Sequence, residues 1–471
     1  MHAVFLTVAA MSTHSFANLP LSAEMLKNLE SIGYQQMTPI QAKSLPYILN
    51  KQDVIAKAKT GSGKTAAFAL GVLSRLNPSL IQAQAMVICP TRELADQVSK
   101  EIRRLARLMP NVRVLTLCGG KPFRMQAESL YNGAQILVGT PGRILDHLKR
   151  KTLYLGKLQT LVLDEADRML DMGFHDDMLE IIKQTPASRQ TLLFSATYPD
   201  SITQMSQLLQ KSPVDVSFET HDESTQILEL AYQSADVEKY DALLAVLGHY
   251  QEKSAIIFCR TKRQCDDVAI LLCEKNYHAL SIHSDYEQRE REEILLQFAN
   301  QSCSILVATD VAARGIDIKA LPLVINYDLP SDPESYVHRI GRTGRCGQEG
   351  VAISLFNEKE KFKLKTIEEY TQKPIKQLEQ TMLSQPSIPI MPPPMRTLCI
   401  NAGKKNKMRP GDILGALTGD GALKGDEVGK IDIFDFHSYV AIKRSAASPL
   451  LQRLQGKIKG RAFKLRFLDN P

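Results

Sequence analysis

Asp53-Val54-Ile55-Ala56-Lys57-Ala58-Lys59-Thr60-Gly61-Ser62-Gly63-Lys64-Thr65 reads as a short apolar strand that runs into a glycine turn and a lysine. A parallel α/β sheet puts such a stretch between the end of a strand and the start of a helix, where backbone N–H groups gather around an anion. Gly61, Ser62 and Gly63 let the backbone close on phosphates, Lys64 neutralises their charge and Thr65 offers a hydroxyl to Mg²⁺. A complete phosphate loop has a further glycine where this chain has Ala58, so the stretch alone also fits an ordinary turn. Further along, Leu161-Val162-Leu163 leads into Asp164-Glu165-Ala166-Asp167. An apolar strand that ends in carboxylates can hold Mg²⁺ through Asp164 and position or deprotonate an attacking water through Glu165. A late basic motif, His338-Arg339-Ile340-Gly341-Arg342-Thr343-Gly344-Arg345, completes the parts that nucleoside triphosphate hydrolysis requires.

The same alternation of apolar run and helical stretch fills most of the chain. Strands are expected at 53–58, 86–89, 112–118, 136–139, 160–163 and 191–195, and again at 255–259, 279–283, 304–309, 323–327 and 352–356. Such runs with crossover helices between them make parallel sheets. The two series predict two α/β domains, 12–220 and 226–380, with the boundary between 212 and 225. The motifs fall where strands end, the place where open α/β sheets bind ligands. The Pro-rich stretch from Pro386 to Pro394 cannot continue a helix or join a central strand, and it predicts a linker over 381–395. Residues 396–471 then follow the order β-α-β-β-α-β, that of a small α+β, RRM-like domain.

Charge divides the chain in the same place. Of 58 Lys+Arg and 51 Asp+Glu, 15 and 7 fall in 396–471, so the whole excess of +7 sits in the tail. A basic module on a near-neutral body points to a polyanionic partner. No apolar run approaches the ~18 residues of a membrane span, and no membrane partner is expected. The eight cysteines lack the short paired spacing of a zinc site and read as reduced thiols of a cytoplasmic protein. Residues 1–11 lack the basic start and long apolar core of a signal peptide, and Met11 is expected to be the initiator.

From Phe16 to about Phe356 the chain resembles the DEAD-box RNA helicases. Gly33-Tyr34-Gln35-Gln36-Met37-Thr38-Pro39-Ile40-Gln41 looks like that family's Q motif, with Phe16 as the upstream aromatic. The resemblance sets Gln41 on the adenine edge and Tyr34 against its face, and an amide does offer the donor and acceptor that edge wants. It assigns Pro90-Thr91-Arg92, Gly119-Gly120 and Thr140-Pro141-Gly142-Arg143 to the RNA backbone, where hydroxyls, arginines and close-approach glycines grip without reading bases. Ser195-Ala196-Thr197, with Asp167 and His338, would couple the nucleotide state to the RNA grip. In the second domain Gln288, Arg291, Thr309, Asp310 and Arg314 would meet RNA, while Gly315 and Asp317 would meet the nucleotide. Arg342 and Arg345 correspond to arginine fingers, which reach a γ-phosphate only when the two domains close. Relatives commonly have glycine where this chain has Ser284, and a positive φ there would strain it.

The tail resembles the C-terminal RNA-binding domain of the bacterial DbpA type of these helicases. Against the usual RNA-recognition signature, His437 and Tyr439 hold aromatic positions, but Ile442 and Cys399 replace two others, so the stacking platform is incomplete. Lys404, Lys405, Lys407 and Arg409 cluster in the first strand-to-helix loop, and RNA is expected on that basic edge with the sheet face secondary.

Together these resemblances imply a monomeric, ATP- and Mg²⁺-dependent RNA helicase with two RecA-like domains. Its expected partners are a large-subunit ribosomal RNA hairpin and pre-50S particles. Two other readings stay open on the residues alone: a nucleotide-gated RNA clamp with negligible turnover, and a helicase acting on DNA. Intact Lys64, Glu165 and Arg345 argue against the clamp, and a dependence on 2′-hydroxyls would separate RNA from DNA.

Overall fold

The computed structural model describes residues 14–57, 61–198, 200–217, 227–234, 238–313, 321–344, 349–379, 383, 392–419, 423–453, 457–458 and 461–468. The first sheet holds seven parallel strands, β1 (Val54–Lys57), β2 (Ala85–Ile88), β3 (Val114–Leu117), β4 (Ile136–Gly139), β5 (Thr160–Asp164), β6 (Gln190–Ser195) and β7 (Val214–Ser217), in the order β3-β4-β2-β5-β6-β1-β7. Alternate residues of its central strands face opposite layers of helices. Val162 joins the core that includes Phe68 and Val98, whereas Leu161 and Leu163 join the one that includes Ile144 and Ile181. Burial on both faces is why these strands read as unbroken apolar runs.

The second sheet repeats the arrangement. Strands β8 (Ile227–Gln233), β9 (Ala255–Phe258), β10 (Ala279–Ile282), β11 (Ile305–Ala308), β12 (Leu323–Asn326), β13 (Gly350–Phe356) and β14 (Lys376–Glu379) lie parallel in the order β10-β11-β9-β12-β13-β8-β14. Three strands exceed the sequence reading. β7 and β14 are edge strands whose charged and polar residues face solvent, and β8 interrupts its apolar run with Glu229. None carries the continuous apolar run of a central strand.

The tail forms an antiparallel sheet from β15 (Met395–Ile400), β16 (Val428–Ile433), β17 (Ser438–Lys443) and, beyond the two-residue strands β18 (Lys457–Ile458) and β19 (Arg461–Ala462), β20 (Leu465–Phe467), in the order β16-β17-β15-β20. Its second helix, Arg444–Arg453, begins directly after β17. One sheet face packs on its own helices through Leu398, Ile400, Val440 and Ile442. The other meets the second domain's helix Gln288–Ala299. Leu296 lies among Cys399, Tyr439 and Leu468, the Tyr439 hydroxyl donates to Glu293 Oε1 at 2.7 Å, and Asn300 donates to Thr397 Oγ1 at 2.9 Å.

The expected linker 381–395, the start at 1–11, and the site residues Ala58, Lys59, Thr60, Arg314, Gly315, Asp317 and Arg345 lie wholly or mostly outside the described residues.

Candidate functional site

In the first domain the motifs that follow strands lie at the carboxyl edge of the sheet, divided into two halves. β1, β5 and β6 stand side by side with β1 next to β6, and they lead into Gly61-Ser62-Gly63, Asp164-Glu165 and Ser195-Ala196-Thr197. β2, β3 and β4 form the other half and lead into Pro90-Thr91-Arg92, Gly119-Gly120 and Thr140-Pro141-Gly142-Arg143.

The phosphate loop depends on backbone that side chains rarely adopt. Gly61 has φ 88° and Gly63 φ 93°, and Gly63 caps the helix Lys64–Arg75. A Cβ on Gly63 would meet Gln41 Nε2 at 2.5 Å. The reason is a hydrogen bond: Gln41 Nε2 donates to the Gly63 carbonyl at 3.0 Å while its Oε1 accepts from Thr38 N at 2.9 Å. Gln41 thus ties the Q motif to the phosphate loop and keeps one N–H and one lone pair for a ligand. Tyr34, also in the Q motif, packs against side chains of the helix Arg92–Leu105. Its hydroxyl donates to Glu101 at 2.7 Å, Arg104 lies over its ring, and Phe16, buried in the core, meets it edge-on.

Lys64 and Asp164 are both buried, at 6% and 3% exposure. Burial pushes the Asp164 carboxyl up to about 7, against the pull of Lys64 and with a further push from Glu165. A divalent cation would restore its charge, so buried Asp164 with Thr65 fits Mg²⁺ and the glycine turn with Lys64 fits phosphates. When bound, the cation would neutralise charge on the terminal phosphates.

Glu165 takes a left-handed backbone, φ 52° and ψ 53°, and its Oε2 accepts from Arg168 Nη1 at 2.9 Å with both side chains buried. Sequence reasoning passed over Arg168, although its place three residues after Glu165 on a helix is the spacing of a pair. Asp167 is the hub of the second motif. Its Oδ2 accepts from Ala196 N at 3.1 Å, Thr197 N at 2.8 Å and Thr197 Oγ1 at 2.9 Å. Movement at Ser195-Ala196-Thr197 is therefore felt at the carboxylates.

In the other half, Thr91 caps the helix Arg92–Leu105 by accepting from Leu94 N. The Arg92 guanidinium lies 2.7 Å from where a Cβ on Gly119 would be, so the arginine packs directly over that glycine. Arg143 Nη1 donates to the Lys121 carbonyl and to Gln126 Oε1.

In the second domain Gln288 and Arg291 open the helix Gln288–Ala299, and Thr309 and Asp310 follow β11. Asp310, expected on RNA, has both oxygens taken by Arg339, at 2.6 and 2.7 Å. Arg339 also donates to Asn326 and to the Asp328 carbonyl. That cluster joins residues far apart in sequence and had no local signal. Arg342 is buried and His338 half-buried on and just past the helix Pro333–Ile340. Ser284 does not adopt a positive φ, so the anticipated strain is absent.

In the tail Lys404, Lys405, Lys407 and Arg409 are all exposed. Their loop is pinned from behind by Lys404 N and Lys405 N, which donate to the carbonyls of Phe434 and Asp435 at 2.8 and 2.9 Å. Tyr439 and Cys399, by contrast, are buried under Leu296.

Comparison with known proteins agrees with this division. The DEAD/DEAH box helicase family matches residues 38–205, the helicase conserved C-terminal domain 238–347, and the DbpA RNA binding domain 397–467. The ATP-dependent RNA helicase DbpA of Escherichia coli is 50% identical over 97% of this chain and 100% of its own length. The ATP-dependent RNA helicase CshA of Listeria monocytogenes is 44% identical over 77% of the chain and 70% of its own. Among solved structures, Dbp5 of S. cerevisiae bound to RNA and ADP BeF3 superposes with a TM-score of 0.72 at 32% identity, covering 78% of this chain and 96% of that one. The carboxyl-edge phosphate loop, the Asp164-Glu165-Ala166-Asp167 hub and the basic tail have one common explanation: the chain belongs to the DEAD-box ATP-dependent RNA helicases, DbpA type.

Proposed function

We propose that this helicase melts short duplexes in large-subunit ribosomal RNA during 50S subunit assembly, as a cytoplasmic monomer directed by its tail. The observation that carries the reading is the placement of the tail. Its sheet face is covered by the second domain, through Tyr439 on Glu293 and Cys399 on Leu296, while Lys404, Lys405, Lys407 and Arg409 stay exposed. An RNA hairpin held on that basic edge is then anchored to the same domain that presents Gln288, Arg291 and Thr309 to a strand. ATP with Mg²⁺ occupies Lys64, Thr65 and Asp164, Glu165 orients water, and Arg342 and Arg345 act when RNA favours closure of the two helicase domains. Coupling of this kind is reciprocal, so RNA raises ATP affinity as ATP raises RNA affinity.

ATPase rates without RNA, with generic RNA and with large-subunit ribosomal RNA test it, in the full chain and in Lys404→Ala/Lys405→Ala/Lys407→Ala. Stimulation by ribosomal RNA that exceeds generic RNA and falls in the triple variant is expected. Equal stimulation by every RNA would overturn the targeting, and absence of turnover under all conditions would favour the clamp.

A further inference from the structure

The second domain repeats the first strand for strand, and the repetition exposes a second place for an anion. β8 holds the position in its sheet that β1 holds in the first, and each precedes a helix whose first residue is lysine, Lys64 in one and Lys239 in the other. β12 holds the position of β5; Asp164 ends β5 and Asp328 lies just beyond β12. Lys239 Nζ stands 3.5 Å from Asp328 Oδ1, so the lysine and carboxylate meet here as well.

Beside this pair opens a cavity of about 380 Å³, a size that suits a nucleotide. It sits at the carboxyl ends of β8, β9, β12 and β13, and β9 and β12 are the neighbours at which the chain changes direction across the sheet. Open α/β sheets bind ligands in that crevice. Four cations line the cavity, Lys239, Arg260, Lys359 and Lys363, against two carboxylates, Asp328 and Glu360. Lys239 is buried and donates to Glu360 Oε2 at 2.8 Å, and Lys363 Nζ lies 3.6 Å from Glu360 Oε1. The carboxylates therefore offset the inner charge, while Arg260 and Lys359 stay exposed at the rim. Phe362, 67% exposed, presents a ring at the same mouth, a surface on which a base can stack.

We infer that this cavity is a second anion site that takes a nucleoside phosphate, either free or at the end of an RNA strand. The five residues after β8, Ser234 to Glu238, include no glycine, so no glycine turn can wrap a triphosphate as at Gly61 and Gly63. Recognition falls to side chains, which suits one or two phosphates held without hydrolysis. The inference does not depend on the ribosomal target.

The test uses the full-length protein carrying Lys64→Ala, which disables the first phosphate loop, titrated calorimetrically with cytidine 5′-diphosphate and with inorganic pyrophosphate. Arg260→Gln/Lys359→Gln is compared in that background, because it removes the two exposed rim charges and leaves Glu360 paired with Lys239 and Lys363; unchanged melting temperature verifies the fold. Saturable binding of one equivalent that weakens about tenfold in the double variant is expected, with Phe362→Ala reducing cytidine 5′-diphosphate to the level of pyrophosphate. A short RNA with a 5′-phosphate, compared with the same RNA bearing a 5′-hydroxyl, separates the sources. A phosphate-dependent gain that the double variant removes identifies the strand end, and its absence beside bound cytidine 5′-diphosphate identifies the free nucleotide. No saturable binding of any probe at millimolar concentration, or binding that the double variant leaves unchanged, overturns the site.

Discussion

Glu165 is held in a left-handed backbone that costs about 1–3 kcal/mol for a residue with a side chain, and its neighbours fix it there. Arg168 holds its carboxylate and Asp167 holds the Ser195-Ala196-Thr197 turn. Removing the cation while leaving the acid exposes the cost of that arrangement. Arg168→Met is expected to destabilise the first domain by about 3–5 kcal/mol, because it removes the buried cation that pairs with the Glu165 carboxylate; urea denaturation measures it. His147 gives a second residue-scale expectation. It is buried, stacked on Phe123 at 4.2 Å, and both ring nitrogens are engaged, by Thr152 and Gln126. Burial and the nearby Arg143 lower its pKa from 6.5 to about 4. The unfolded chain therefore binds the proton first as pH falls, so this contribution to stability is whole above pH 6.5 and is lost progressively toward pH 4. Urea titrations across that window should show the loss, and His147→Gln should flatten it. At this scale the sequence spoke clearly where chemistry is local, as in the glycine turn and the paired carboxylates. It was silent on the Arg339–Asp310 pair, whose partners only the fold brings together.

At the scale of elements, the helix Gln288–Ala299 serves two masters. Its first turn carries Gln288 and Arg291, and Glu293 and Leu296 further along receive the tail sheet. Leu296→Asp sets a charge against Cys399 and Leu468 and should loosen the tail. The expected signature is a roughly tenfold loss of ribosomal RNA stimulation, equal to about 1.4 kcal/mol of coupling, with the unstimulated ATPase unchanged. Central strands were legible because burial on both faces writes a continuous apolar run. Edge strands were not, because β7 and β14 mix charged and polar residues among few apolar ones, as an edge in water requires. The docking of the tail was equally hidden. Cys399 looked like a missing aromatic, and only the packed structure shows it as a contact made for Leu296.

For the whole molecule, the charge division read from sequence becomes a statement about salt. The basic excess lies in residues 396–471, and each phosphate neutralised on a single strand contributes about 0.7 to the slope of log affinity against log salt. Replacing Lys404, Lys405 and Lys407 together by alanine should make the slope for the full chain on ribosomal RNA shallower by about 2, as fluorescence anisotropy over a range of salt would show. A non-specific tail would lose as much slope on any RNA, and a targeted one loses more on its own hairpin. The covered sheet face also limits how this protein can be rebuilt. A different RNA-recognition module spliced in at residue 396 would carry its own aromatic platform, and that platform would fall against Glu293 and Leu296. An exchange of specificity would therefore need residues of the recipient helix to travel with the donor tail, and the unit of inheritance is the pair.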